Sequence, residues 1–462
     1  MGSKIEEFQL SDRCTIKSSK RIFAHEYVHS GIPFWRSKDV IDKSLGCFNS
    51  HELFISKERF IEISKIYGHP QKGDLLISSV GNRSGQPYIV QDEGDFYFKD
   101  GNILWISDFR DLDPDFLSYW LKSEKGQSAL SQVMIGSAQK ALTIDALRTL
   151  KVSFPKHKQQ INIAKIFKTL DNKILLARTI NQTLEQMSQT LFKSWFVDFD
   201  PVIDNALDAG TTIPDMLQSR AELRQKVRNS ADFKPLRADI RALFPAEFEE
   251  TELGWVPKGW TLESVAKAIN INPSVKLPQN TIAKYVDMKS LPTQGYSISE
   301  VIEKPYAGGA KFQKNDTLFA RITPCLENGK TGFVDFLDEK EIAFGSTEFI
   351  VMRGNTKVHY SYVACLAREN NFRSHAIQNM VGSSGRQRVQ NSCFDSFYIA
   401  IPTPSVMSLF AGKVSSYFDK MYSCNLENKS LTNLRDTLLP KLISGELSLE
   451  DLPNLVAQTE PA

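Results

Sequence analysis

The sequence predicts an α+β protein written twice: two similar α/β modules, each followed by one long helix with a coiled-coil seam, as an internal repeat. Three observations carry this. The string QKGDLLIS at residues 71–78 returns as QKNDTLFA at 313–320, with Gln71/Gln313, Lys72/Lys314, Asp74/Asp316 and Leu76/Leu318 in matching places. Residues 157–196 lack Gly and Pro and carry a heptad seam at Ile163, Phe167, Leu170, Ile174, Ala177, Leu184, Leu191 and Trp195. Adding 247 to each number gives a second seam, Phe410, Val414, Tyr417, Met421, Cys424, Leu431, Leu438 and Leu442, and carries Pro155 to Pro402 and Asn181 to Asn428.

The elements follow in order. Residues 1–155 form the first module, 156–199 the first long helix, and 200–249 a connector with short helices. Residues 250–401 form the second module, 402–446 the second long helix, and 447–462 a tail. Phe8-Gln9-Leu10 aligns with Trp260-Thr261-Leu262 as the opening strand of each module. Short apolar runs bounded by turn residues then predict strands: DLLISSVG, GQPYIV, DFYF and NILWIS in the first, DTLFARI, GFVDFL, EIAFG and TEFIVMR in the second. A helical stretch closes each set, 114–133 and 359–381, and strands followed by helices suggest a mixed or antiparallel sheet. At 1.5 Å per residue, helices of roughly 40 residues would be about 60 Å long, a ruler between the modules.

Composition narrows the function. With 41% hydrophobic and 24% charged residues, the 462-residue chain has material for two or more cores. No run approaches the roughly 18–20 apolar residues of a membrane span, and the opening MGSKIEEFQL has no signal-peptide stretch, which predicts a cytoplasmic protein without membrane contact. The six cysteines form no CxxC pair, so they read as reduced thiols. A balance of 56 basic against 54 acidic residues argues against a general polyanion binder but permits a local basic face.

Catalytic motifs fail on inspection. His25-Glu26-Tyr27-Val28-His29 has the spacing of zinc peptidases, but Ser30-Gly31-Ile32-Pro33 breaks the chain directly after it. Gly329-Lys330-Thr331 has the tail of a phosphate loop with Pro324 where its first glycine belongs. Asp198-Phe199-Asp200-Pro201 lacks the second proline and aromatic of an adenine methyltransferase site. What remains is polar and repeated. A Gly-Ser loop before the last strand of each module carries Gly136, Ser137, Gln139 and Lys140 in one copy and Gly382, Ser383, Arg386, Gln387 and Arg388 in the other. Arg and Lys suit guanine edges and phosphates, and Gln suits adenine, so these side chains are candidate DNA contacts. Lys72, Arg83, Lys314, Arg321, Lys330 and Arg373 join them. Between Arg353 and Arg388, Lys357, Arg368, Arg373 and Arg386 face one acid, Glu369, as a basic patch.

The duplicated module-plus-helix plan, with LFKSWFVDFDPV after the first helix, LGWVPKGWTLESV opening the second module and LRDTLLPKLISGEL closing the second helix, resembles the specificity subunit of bacterial type I restriction-modification enzymes. The likeness spans essentially the whole chain, although the first module lacks the PKGW lead-in. It implies a non-catalytic reader of double-stranded DNA, each module a target-recognition domain for one half of a split site, with the two long helices packed as an antiparallel coiled-coil spacer about an internal pseudo-two-fold axis. It also implies two methyltransferase (modification) subunits as partners, which would supply S-adenosylmethionine chemistry, and restriction nuclease-translocase subunits; no cofactor is implied for this chain. Phe192, Trp195, Phe196, Leu438, Leu439 and Leu442 are then candidate docking residues. The rival readings are a methyltransferase or nuclease with fused recognition modules, or a coiled-coil scaffold that does not bind DNA.

Overall fold

The computed structural model describes residues 5–46, 52–81, 83–136, 141–383, 385–447 and 449. It divides into two compact units, Met1–Leu176 with Glu427–Ala462, and Ala177–Leu426. The division falls inside the two long helices, His157–Phe192 and Pro404–Ser444. Each unit therefore holds one module, the first part of the helix that follows it, and the last part of the other helix.

In the first unit, a four-stranded antiparallel sheet runs Thr15–Lys17, Ile103–Ser107, Leu75–Ser78 and Pro87–Ile89 in spatial order. A second, partly parallel sheet orders Tyr27–Val28, Phe54–Ile55, Ile32–Trp35 and Tyr97–Phe98, and helices Ser37–Ser44 and Lys57–Tyr67 accompany it. Strand Ile5–Gln9 pairs with Lys151–Pro155 just before the long helix. The core joins Phe116, Trp120 and Phe154, whose rings meet at 5.1–5.2 Å, to Ile163 and Phe167 of the first long helix and Leu439, Leu442 and Ile443 of the second.

The second unit repeats the inner sheet as Asn270–Ile271, Phe349–Arg353, Thr317–Ala320 and Thr331–Phe333. Its outer sheet differs, with Ile302–Pro305, Ile282–Val286, Ile342–Gly345 and Ala310–Gln313 in order. Strand Thr261–Ser264 pairs with Tyr398–Ile401. The two long helices run antiparallel here: Asn181 Nδ2 donates to Asn425 Oδ1 at 2.7 Å, and the Phe192 and Phe410 rings lie 6.2 Å apart.

Two sequence expectations need correction. The opening strands are equivalent, but with a register three residues from the one aligned above. Phe8 pairs with Val152 and Glu263 pairs with Ile399, its counterpart 247 residues on, so Phe8 corresponds to Glu263 and not to Trp260. Leu10 and Val265 accordingly donate to the equivalent carbonyls of Leu150 and Phe397 at 3.0 and 2.8 Å. Each helical stretch is also two helices, Pro114–Lys122 and Glu124–Val133, then Tyr360–Arg368 and Asn370–Gln378. The break falls where Ser123 and Glu369 turn their side chains back to cap the second helix, accepting from the Gly126 and Phe372 amides at 3.2 and 2.8 Å. In the first copy Gly126 is required as well, because a Cβ there would lie 2.0 Å from the Trp120 carbonyl oxygen.

The connector is more ordered than short helices alone. Asp200–Ala209 and Asp215–Arg228 form a helical hairpin held by a ladder at four-residue spacing. Arg220 meets Asp200 at 2.6 Å, Arg224 forks onto Asp204 at 2.9 and 2.7 Å, and Arg228 pairs with Asp208. Ser194 donates to Asp200 at 2.8 Å and ties the hairpin to the end of the first long helix.

Candidate nucleic-acid interface

The repeated string makes the same turn twice. The Gln71 and Gln313 amides each donate to the Asp side chain three residues on at 2.8 Å, and Gly73 and Asn315 take positive φ values of 91° and 68°. Glycine and asparagine are the residues that occupy this region at least cost. The Gly73 and Asn315 amides then reach the neighbouring strand at Val90 and Val334, at 2.9 and 2.8 Å. The two aspartates diverge in their other partner. Asp74 accepts from the Trp105 indole at 2.8 Å, whereas fully buried Asp316 takes the forked Arg353 guanidinium at 2.6 and 2.7 Å. Burial pushes both carboxyls above the usual carboxylate range, against the pull of their hydrogen bonds.

At the far end of the strand that this turn begins lies the Gly-Ser loop. In the second module it is the tip of a hairpin, Met380–Val381 paired with Arg388–Val389, and a bridge from Ile322 to Arg388 joins it to the inner sheet. The first module builds the same base with bridges Val80–Ala141 and Ile135–Ala141. Ser137, Gln139 and Lys140 lie outside the described residues. Ser383 and Arg386 are exposed at the second tip, closed by the Arg386 amide donating to the Ser383 carbonyl at 3.0 Å. Gln387 is half-buried, and its backbone pairs with Thr323.

The basic patch read from 353–388 is largely occupied by internal bonds. Arg353 serves Asp316, and Lys357 pairs with Glu263 at 3.0 Å. Arg368 donates to the carbonyls of Pro292, Thr293, Gly295, Gly329 and Thr331, and burial lowers its pKa from the usual guanidinium value. Arg373 makes only a 3.4 Å contact to Asn370 Oδ1 among those described, and Lys330 donates to the Met288 carbonyl at 2.8 Å. Arg321 donates to the Val389 carbonyl at 2.7 Å. Arg388 forks onto Glu348 at 2.7 and 2.9 Å.

The structure thus groups Arg321, Ser383, Arg386, Gln387 and Arg388 at one hairpin. It sets Lys72 and Lys314 apart, at the opposite end of their strands, in surface pairs with Asp92 and Glu339 at 2.8 and 2.9 Å. Arg83 is exposed and offers its carbonyl to the Ser78 hydroxyl at 2.9 Å. Glu348 carries almost no signal in the sequence. Its only signal was its place one residue before the strand Phe349–Arg353, which becomes informative once that strand is known to pair with Thr317–Ala320.

The six docking candidates are core residues of their own units. Phe192, Trp195 and Phe196 are 1, 1 and 5% exposed and pack on Tyr362 and Phe410, while Leu439 and Leu442 are 8 and 2% exposed with Leu438 partly buried beside them. Trp195 also lines a groove of about 430 Å³ with Met187, Leu191, Lys413 and Tyr417. Among the described residues no cluster of His, Cys, Asp and Glu is arranged to hold a metal, and no helix is long and apolar enough to cross a membrane.

Residues 2–186 match the family model of the type I restriction modification DNA specificity domain. Over 433 residues, 86% of this chain and 93% of the other, the chain is 25% identical to the type I restriction enzyme HindI specificity subunit of Haemophilus influenzae. It is 23% identical over 446 residues to the MjaIX specificity subunit of Methanocaldococcus jannaschii, covering 92% of this chain and 89% of that one. The fold matches the crystal structure of a type I restriction-modification S subunit from M. genitalium with a TM-score of 0.55, over 96% of both chains at 12% identity. Along nearly its whole length this duplicated module-and-helix chain is thus similar to type I restriction-modification specificity subunits, and its residues 2–186 carry the specificity-domain match.

Proposed function

We propose that this chain is the non-catalytic DNA reader of a type I restriction-modification complex, each module reading one half of a split double-stranded site. The observation that supports it most is the hairpin base built twice on one backbone plan with different side chains, as two unlike half-sites demand. Arg386 and Arg373, with Ser383 and Gln387, are the contacts favoured in the second module, and the Ser137, Gln139 and Lys140 loop those in the first. Lys72, Lys314, Arg83 and Lys330 suit phosphates, which position a protein on the duplex without selecting sequence.

Modification subunits, carrying S-adenosylmethionine, would dock along the long helices, and restriction subunits would join them. The groove beside Trp195 is the favoured docking surface in the second unit. There the buried aromatics act from behind, holding half-exposed Met187, 44% accessible, at the rim.

Mapping methylated adenines in a host carrying the complex is the test. A bipartite motif that changes in one half when one module is exchanged is expected. Methyl transfer by the purified chain with S-adenosylmethionine alone would overturn the non-catalytic reading.

A further inference from the structure

Because both modules share one backbone, side chains at equivalent positions can be compared directly. The Ser79 and Arg321 amides donate to the carbonyls of Asn102 and Glu348 at 2.9 and 3.0 Å, and the Leu142 and Val389 amides donate back to Ser79 and Arg321, both at 2.8 Å. Ala141 and Arg388 form the matching bridges to Val80 and Ile322. Three positions therefore coincide: Ser79 with Arg321, Asn102 with Glu348, and Ala141 with Arg388. The first module fills them with small or neutral side chains, the second with two guanidiniums and a carboxylate.

We propose that Arg321, Glu348 and Arg388 read one C·G base pair of the second half-site, and that Ser79, Asn102 and Ala141 give the first module a different preference at the corresponding place. This rests on the DNA-reading function above and names the side chains that carry it. The trio is not buried scaffolding: the Arg388 and Glu348 side chains are 43 and 23% exposed, next to the exposed hairpin tip. Arg321 borders a cavity of about 460 Å³ with Asn272, Lys311 and Thr347, and its buried Nε has no partner among the described residues.

The carboxylate decides between a phosphate site and a base site. Beside a phosphate, Glu348 would be repelled. Beside a base pair, it accepts from the cytosine N4 amino group while an adjacent guanidinium donates to guanine O6 and N7. In the free chain the two charges satisfy one another across the surface, a weak pairing that base edges can replace.

The test uses the full chain assembled with its modification subunits, and scores methylation rates on duplexes that differ at each position of the second half-site. Glu348→Gln and Arg388→Lys keep size and, for lysine, charge. Each should lower discrimination at one C·G position roughly tenfold or more while leaving the first half-site, complex assembly and thermal melting unchanged. The triple exchange Arg321→Ser, Glu348→Asn, Arg388→Ala should shift preference at that position alone. An unchanged motif in all variants overturns the proposal, as does an equal loss on every duplex, the mark of a phosphate contact. If the parent complex shows no bipartite motif, the DNA-reading function itself has failed, and this assignment falls with it.

Discussion

The two modules are one frame dressed twice. Their inner sheets, entry turns, paired helices and hairpin bases superpose residue by residue in hydrogen bonding, while their outer layers share little. The first module places helices Ser37–Ser44 and Lys57–Tyr67 around its outer sheet, whereas the second places strands Ile302–Pro305 and Ala310–Gln313 on either side of its outer pair. The inner frame must bury the aromatic cluster and the helix seams, so its pattern is held by packing. The outer layers bury cores of their own, around Trp35 and Phe98 in the first module and Phe312 and Ala343 in the second, which need not fit the helix seams, and there the copies have parted.

The sharpest difference inside the shared frame is the partner of the turn aspartate. Replacing Arg353 by Ala leaves Asp316 buried without its counter-charge and should cost about 3–5 kcal/mol. Trp105→Phe removes one hydrogen bond from partly buried Asp74 and should cost about 1–3 kcal/mol. Chemical denaturation of both variants checks this, and equal costs would mean that the two turns are energetically one.

A smaller asymmetry sits at the turn's left-handed residue. Gly73→Ala meets no atom within 4 Å, so its whole penalty is backbone strain at φ 91°, about 1–2 kcal/mol. Asn315→Gly at the equivalent place should change stability by only a few tenths of a kcal/mol, since asparagine already tolerates that region. Thermal melting of the pair separates the two; a large loss for Asn315→Gly would show that its side chain holds the turn.

A last asymmetry concerns the seam asparagines, which coincide in sequence but differ in their hydrogen bonds. Asn181 bonds Asn425, which in turn donates to Ser297 at 2.5 Å, so Asn181→Leu strands an acceptor and should cost about 1 kcal/mol. The Oδ1 atoms of Asn181 and Asn428 are both buried without a partner among the described residues, but only Asn181 has a described amide bond to lose, so Asn428→Leu should leave stability unchanged or raise it. Equal shifts in the two melting curves would erase the distinction.

Much of this molecule could be read without coordinates, and the reason is periodicity. The long helices announce themselves through seams that must be apolar at Phe167 and Phe410 to be buried, and the inner strands through apolar runs at Leu75–Ser78 and Thr317–Ala320 closed by turn residues. The four-residue spacing of Asp200, Asp204 and Asp208, and of Arg220, Arg224 and Arg228, likewise places each set on one helix face, before packing brings the two faces together. Local rules of burial and backbone conformation determined all of these from the sequence alone.

Tertiary structure decided which charges are committed. Nothing local tells Arg353 to meet Asp316, 37 residues away, Arg368 to gather five carbonyls, or Arg388 to meet Glu348, 40 residues away. Those choices follow from which strands lie side by side. A run of arginines that resembled one basic face was therefore sorted by strand pairing into internally bonded and exposed side chains, because an ion pair depends on distance in space and a sequence records only distance along the chain.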